Sequence, residues 1–296
     1  KKVLIILLAL SLLLSFTGYY IYTGIQNRNK CEATYIKDAD GKGGNVVAGT
    51  TNISAVKTAA ESEELNLQRE LEDIFAAMGF SIEDYDEIVD DYHCFEALNI
   101  PKHHPARDMQ DTYYLSTGQL LKTHTSAAQN YIMKKYGAPL RAIFPGRCFR
   151  NESTDACHEN TFFQMEGIMI DENISISNLI YFMKTMLSEV FGRPVEVRLR
   201  PGFFPFVEPG FELDIKCLIC GGDGCPSCKD SGWLELCPCG MIHPKVLEYG
   251  GIDTEKYTGF AFGLGLTRLA MMKYGIKDIR TLNSGNLKAL SQFVNA

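Results

Sequence analysis

The sequence lacks both of the commonest nucleotide cradles. No Gly-x-Gly-x-x-Gly follows a strand-like run, and no glycine-rich loop ends in a P-loop lysine. Positive charge is also scarce, with 29 Lys and Arg against 36 Asp and Glu and a net charge of −7. The deficit is uneven: residues 1–61 carry net +3, which leaves −10 on the remaining 235 residues. So acidic a body does not hold nucleic acid through bulk charge. A polyanion would have to be gripped by locally placed arginines or by a partner. Cysteine is concentrated in one stretch, six of ten falling within Cys217–Cys239. That pattern suits metal ligation in a reducing compartment better than a disulfide frame. Apolar residues make up 46% of 296, enough for one large or two modest domains.

Along the chain, Val3–Tyr22 is twenty residues without a charge, long enough to cross a bilayer. Lys1 and Lys2 precede it, and no small-residue cleavage site follows, so residues 1–22 are expected to form a transmembrane or signal-anchor helix. Basic residues flank both sides, which leaves the orientation open. Residues 23–60 are rich in Gly, Asn, Thr and Ala without an apolar period and are expected to be a linker. The globular domain is expected over 61–296. Leu67, Leu71, Ile74 and Met78 mark one helix face, ended by Gly79. Ser126–Tyr136 and Ser177–Phe191 have the same amphipathic period. Strand-like runs fall at Arg141–Glu152, Thr161–Asp171, Val195–Arg200, Phe211–Cys217 and Thr258–Phe262. Their frequent adjacency predicts an α+β fold, an antiparallel sheet flanked by helices.

Five stretches carry candidate chemistry. Gly146–Glu152 and Phe162–Gly167 alternate, so they read as antiparallel strands on either side of a polar loop. Side chains two apart share a strand face, which places Arg150 with Glu152 and Gln164 with Glu166, while Phe149, Phe163 and Met165 pack behind. An isolated Arg-x-Glu is ordinarily just an exposed charged face. Phe203-Phe204-Pro205-Phe206-Val207-Glu208 sets aromatics beside a carboxylate, as in the wall of an aromatic pocket. Gly259–Arg268 runs a strand into a helix through glycines, carrying Arg268 to a helix start, where backbone amides and a guanidinium both favour phosphate. Cys217-x-x-Cys220 and Cys225-x-x-Cys228 offer four thiolates with turn-forming glycines between them, suited to a closed structural zinc site or to free thiols in a tight hairpin. Cys237 and Cys239 sit two apart and are weaker ligand candidates.

Taken together, His104–Asp111, Thr123–Ser126, Arg150-Asn151-Glu152, Gln164–Gly167, Phe204-Pro205-Phe206 and Gly263–Arg268 resemble the α subunit of bacterial phenylalanyl-tRNA synthetase, a class II aminoacyl-tRNA synthetase. The resemblance runs from about Glu61 to the C-terminus. It implies a class II antiparallel sheet and ATP bound in a bent form. It implies that Arg150 grips the α-phosphate, that Glu152 meets adenine, and that Arg268 meets the far phosphates. His124, Ser126, Gln164 and Glu166 match residues that hold the amino acid's α-amino and carboxylate groups. Phe204, Phe206 and Ala261 match the phenyl pocket, and Glu208 matches a Mg²⁺ ligand shared with the β subunit. Departures are Thr267 where Glu is usual, Tyr85-Asp86 where Gly-Pro is usual, and an apolar span in place of the helical hairpin that reaches tRNA.

The activity implied is ATP-dependent activation of phenylalanine and its transfer to tRNA(Phe), in the cytoplasm, as the catalytic α subunit of an αβ heterotetramer. The alternative is a non-catalytic, membrane-tethered synthetase-like binding protein associated through residues 3–22. A third reading makes residues 1–61 a fusion or a misassembled frame on an ordinary α subunit.

Overall fold

A computed structural model describes residues 62–107, 111–155, 158–225, 228–276 and 278–283. The apolar helix expected at 1–22 and the linker expected at 23–60 lie outside these. Among the described residues no helix is long and apolar enough to cross a membrane.

Helices are α1 (Ser62–Ala77), α2 (Asp91–Cys94), α3 (Ala128–Tyr136), α4 (Ile176–Val190), α5 (Pro244–Tyr249), α6 (Leu266–Tyr274) and α7 (Arg280–Asn283). Seven strands form the main sheet: β1 (Ser81–Ile82), β4 (Leu140–Phe149), β5 (Thr161–Asp171), β6 (Val197–Pro201), β7 (Val207–Lys216), β8 (Trp233–Ile242) and β9 (Thr258–Gly265). The remaining two, β2 (Ile88–Val89) and β3 (Leu120–Leu121), make a separate antiparallel pair. The sheet order is β1-β4-β5-β9-β8-β7-β6. All pairings are antiparallel except β1 with β4, so the sheet is mixed rather than wholly antiparallel.

Each sheet face buries a different core. On one face Ile143, Met165, Leu213, Phe260 and Phe262 meet α1, α4 and α6. Leu67, Leu71 and Phe75, four apart on α1, are fully buried there, and Gly79 at φ 83° turns the chain out of the helix. Phe75 stacks flat on Phe262, centroids 5.5 Å apart at 5°. A methyl group at Gly167 would lie 2.5 Å from the Phe262 ring, so only glycine fits beneath it. On the opposite face Ala142, Phe144, Ile168, Val207 and Ala261 meet α3, α5 and the turn around Phe95. The site residues lie on this second face, toward the ends of β4, β5 and β9.

Strand β8 was not expected, and the reason is physical. Pro238 and Gly240 interrupt its alternation, and the cysteines at 237 and 239 read as part of a metal knuckle. Pro238 pairs opposite Glu212 beside the register shift at Leu213–Asp214, where the bulge relaxes the ladder. At the sheet edge, Asp214 is buried and accepts from Arg198 at 2.8 Å and from Arg200 at 2.7 Å. These cations occupy the outer strand β6 and blunt its open edge.

Candidate active site

The β4–β5 pairing runs without a shift from Leu140↔Ile170 to Phe149↔Thr161, and β5–β9 from Asp171↔Thr258 to Gln164↔Gly265. The C-terminal ends of β4 and β9 therefore meet the N-terminal end of β5. Arg150 leaves β4 at that end, and Arg268 sits in the first turn of α6, directly after β9. Arg150 and Glu152 lie just beyond the strand that was expected to contain them. The Arg150 amide still donates to the Asn160 carbonyl at 3.0 Å, continuing the ladder. Its Nε donates to the Thr123 carbonyl at 3.2 Å, its guanidinium covers the Phe162 ring at 4.9 Å, and its Nη1 stands 4.0 Å from Glu152. Carbonyl, ring and carboxylate thus hold the guanidinium in one plane.

Arg268 is exposed, with Gly265 as N-cap. Thr267, the departure from the family pattern, is buried, and its hydroxyl accepts from the Phe163 amide at 3.0 Å. Beyond Gln164↔Gly265 the β5 amides have no partner on β9, so this hydroxyl extends the ladder into α6.

Glu166 is buried and accepts a short hydrogen bond from the Ser126 hydroxyl. Burial pushes its carboxyl up to about 7, while hydrogen bonds from Ser126, the Arg150 charge and the Gln129 side chain pull the other way. Gly263 lies opposite Glu166, where a methyl group would stand 3.3 Å from the Glu166 stem. Gln164, two residues earlier on the same face, accepts from the Cys148 thiol at 3.3 Å.

Ser126, Gln129, Glu166, Phe206, Val207 and Ala261 line one pocket of about 280 Å³, its open mouth included, with Pro238, Cys239, Phe262 and Gly263. A carboxylate, a hydroxyl and an amide stand at one side, and rings and aliphatic groups form the rest. The sequence reading missed Gln129. It stands one helical turn after Ser126, and that i, i+3 spacing could have flagged it.

Phe204 packs against Phe206 at 5.9 Å but lines a neighbouring cavity with Phe203, Glu208 and His243. Glu208 has a side chain 74% exposed, and its carboxylate lies 3.2 Å from His243 Nε2. Among the described residues it joins no group of three metal-capable side chains.

His124 is among the residues expected to hold the amino acid's polar groups. It is buried, with Nε2 donating to the Cys94 carbonyl at 2.9 Å and Nδ1 beside the Thr123 hydroxyl at 2.9 Å. Since a carbonyl only accepts, Nε2 carries the proton and Nδ1 accepts from Thr123. Burial, then the Arg150 cation, bring its pKa down to about 4, so the ring is neutral. Both nitrogens make hydrogen bonds beside the turn that presents Ser126. Of the His104–Asp111 motif, residues 108–110 lie outside the described set. Arg107 makes a two-pronged ion pair with Asp91 at 2.5 and 3.1 Å, and the Asp111 carbonyl accepts from the Asn151 amide at 2.7 Å.

Cys217, Cys220, Cys225 and Cys228 converge, with all four sulfurs within 4.8 Å of one another. Cys237 and Cys239 are buried in the core beneath the sheet.

This sheet, with a buried carboxylate and two arginines at one end, defines the core of a class II aminoacyl-tRNA synthetase. The family model described as "tRNA synthetases class II core domain (F)" matches residues 48–293. The chain belongs to this family and, within it, to the phenylalanine–tRNA ligase α subunits. It is 61% identical over 227 residues to the phenylalanine–tRNA ligase alpha subunit of Leptospira biflexa, covering 77% of this chain and 67% of the relative. The subunit of the same name from Bacillus licheniformis is 46% identical over 245 residues, covering 82% and 71%. Among solved structures, the pyrrolysyl-tRNA synthetase of Desulfitobacterium hafniense superposes with a TM-score of 0.56 at 18% identity, covering 74% of this chain and 72% of that one. That likeness concerns the fold alone.

Proposed function

We propose that the chain activates phenylalanine with ATP and passes the phenylalanyl group to tRNA(Phe), as the catalytic subunit of an assembly with a β subunit. The observation that carries this reading is the Glu166 carboxylate, buried at the polar side of a pocket otherwise walled by Phe206, Val207 and Ala261. A buried carboxylate with Ser126 and Gln129 around it suits an α-ammonium. The apolar remainder suits a phenyl ring.

Activation needs no side-chain nucleophile. The phenylalanine carboxylate attacks the α-phosphorus of ATP, forming a mixed anhydride and releasing pyrophosphate. We assign Arg150, fixed by Thr123 and Phe162, to the α-phosphate, and Arg268, at a helix start, to the far phosphates. Their contribution is preorganised charge stabilisation. Mg²⁺, when bound, would neutralise phosphate charge, and Glu208 offers an exposed carboxylate toward such an ion. Gln164 is assigned to the substrate's polar end, and Glu152 to the adenine. The tethered-binding alternative relied on residues 3–22, which lie outside the described residues. The geometry at Glu166 favours the ligase.

The test is phenylalanine-dependent exchange of pyrophosphate into ATP by the full chain with its native partner. Exchange with phenylalanine and none with leucine is expected; no exchange with phenylalanine overturns the reading. An apolar pocket rejects an added hydroxyl weakly, by ~10²-fold in comparable sites, so tyrosine is expected to leak through. Ala261, only 5% exposed, is assigned to the ring's far edge. Ala261→Gly should therefore raise adenylate formation with para-substituted phenylalanines relative to phenylalanine. An unchanged ratio in the exchange assay would remove Ala261 from the pocket floor.

A further inference from the structure

The loop joining β7 to β8, residues 217–232, has little apolar material to hold it. Ile219 in its first turn is 73% exposed. Yet its backbone is closely specified. Gly221, Gly222, Gly224 and Gly232 adopt φ of 64°, 103°, 99° and 73°, a region that side chains disfavour. At Gly232 a methyl group would stand 2.4 Å from the Gly222 carbonyl oxygen, so two chain segments touch backbone to backbone. This folding brings four sulfurs to one point. Cys217 and Cys225 are 3.8 Å apart, Cys220 and Cys228 3.8 Å, and Cys225 and Cys228 3.6 Å. A disulfide requires about 2.05 Å. Four thiolates around zinc at ~2.3 Å form a tetrahedron whose edge is ~3.8 Å. These three separations match that edge. Amides also point at the sulfurs, Gly224 to Cys220 at 3.3 Å and Cys225 to Cys228 at 3.1 Å. N–H donors aimed at sulfur stabilise the thiolate form that a metal needs.

We propose that Cys217, Cys220, Cys225 and Cys228 hold one zinc ion that staples the β7–β8 hairpin. Four protein sulfurs close the coordination sphere and leave no position for substrate, so the ion is structural. Its place explains why a hairpin with so long a loop keeps its register. The last pair before the knuckle is Lys216↔Trp233, and the same two strands carry Val207 and Cys239 of the amino-acid pocket. A one-residue slip would turn every side chain of a strand to the other face. The staple sits six residues from Cys239, roughly 20 Å along the strand at ~3.3 Å per residue. It acts on the pocket only through strand pairing.

The full chain, purified without added metal, is expected to contain about one zinc by elemental analysis. Loaded with cobalt instead, it should show the sulfur-to-metal charge-transfer bands and strong visible absorption of a tetrahedral four-sulfur site. Stripping the metal should lower the unfolding midpoint by about 5 °C or more, and re-adding zinc should restore it. Cys220→Ser with Cys225→Ser should abolish stoichiometric metal, whereas Ile219→Ala in the same loop should keep it and shows that the hairpin tolerates substitution. Iron in place of zinc overturns the choice of metal. A chain that takes up neither zinc nor cobalt overturns the site. An unchanged midpoint after stripping overturns the staple.

Discussion

Replacing Arg150 with lysine is expected to cut phenylalanine-dependent pyrophosphate exchange by roughly 10²-fold or more, the usual loss when one preorganised charge-stabilising donor goes. Charge is conserved, so the loss measures geometry. The guanidinium is held through Nε on the Thr123 carbonyl and through its flat face on Phe162. A lysine ammonium offers neither the planar fork nor the stacking surface. Because Arg150 is partly exposed, with 28% of its side chain open, its replacement should leave thermal unfolding nearly unchanged. Exchange close to the unmutated rate would show that Arg150 is not at the α-phosphate.

Glu166→Gln separates binding from stability in the opposite sense. Removing the charge from a buried ammonium partner should raise the KM for phenylalanine by about 10²-fold or more. The unliganded protein should become more stable at pH 8. Burial raises the folded pKa from 4.5 to about 7, so the folded state binds this proton more tightly than the unfolded chain does. The stabilising effect of that proton is complete below pH 4.5 and is lost as pH rises through about 7. Glutamine stays neutral and keeps it, a gain on the order of 1–3 kcal/mol at pH 8. With the native residue, the KM for phenylalanine should rise as pH falls below about 7, since a protonated carboxyl cannot pair with ammonium. In the glutamine variant that pH dependence should disappear. A glutamine variant with an unchanged KM would remove Glu166 from the amino-acid site.

What the sequence made legible follows its local patterns. The β4 and β5 strands alternate cleanly, so the shared face of Gln164 and Glu166 could be read directly. The helix face of Leu67 and Leu71 has an unbroken period and ends at a glycine. Where side chains answer to distant backbone, the sequence is silent. Nothing in Thr123–Ser126 reveals that His124 Nε2 donates to the Cys94 carbonyl, thirty residues earlier. Phe204 and Phe206 look equivalent in sequence, yet a tight turn sends them to adjoining cavities. Strand β8 was hidden by Pro238 and Gly240, whose cost is absorbed by a bulge that only the pairing reveals.

The flat contact between Phe75 and Phe262 has a consequence for how this pocket can change. Phe262 lines the pocket, yet its ring is clamped between α1 and the space left by Gly167. A mutation there would disturb the main core before it altered substrate choice. Ala261 and Phe206 belong instead to the core on the opposite face of the sheet. New amino-acid preferences, whether selected in a laboratory or acquired in a lineage, should therefore accumulate at 261 and 206 and leave 167 and 262 unchanged.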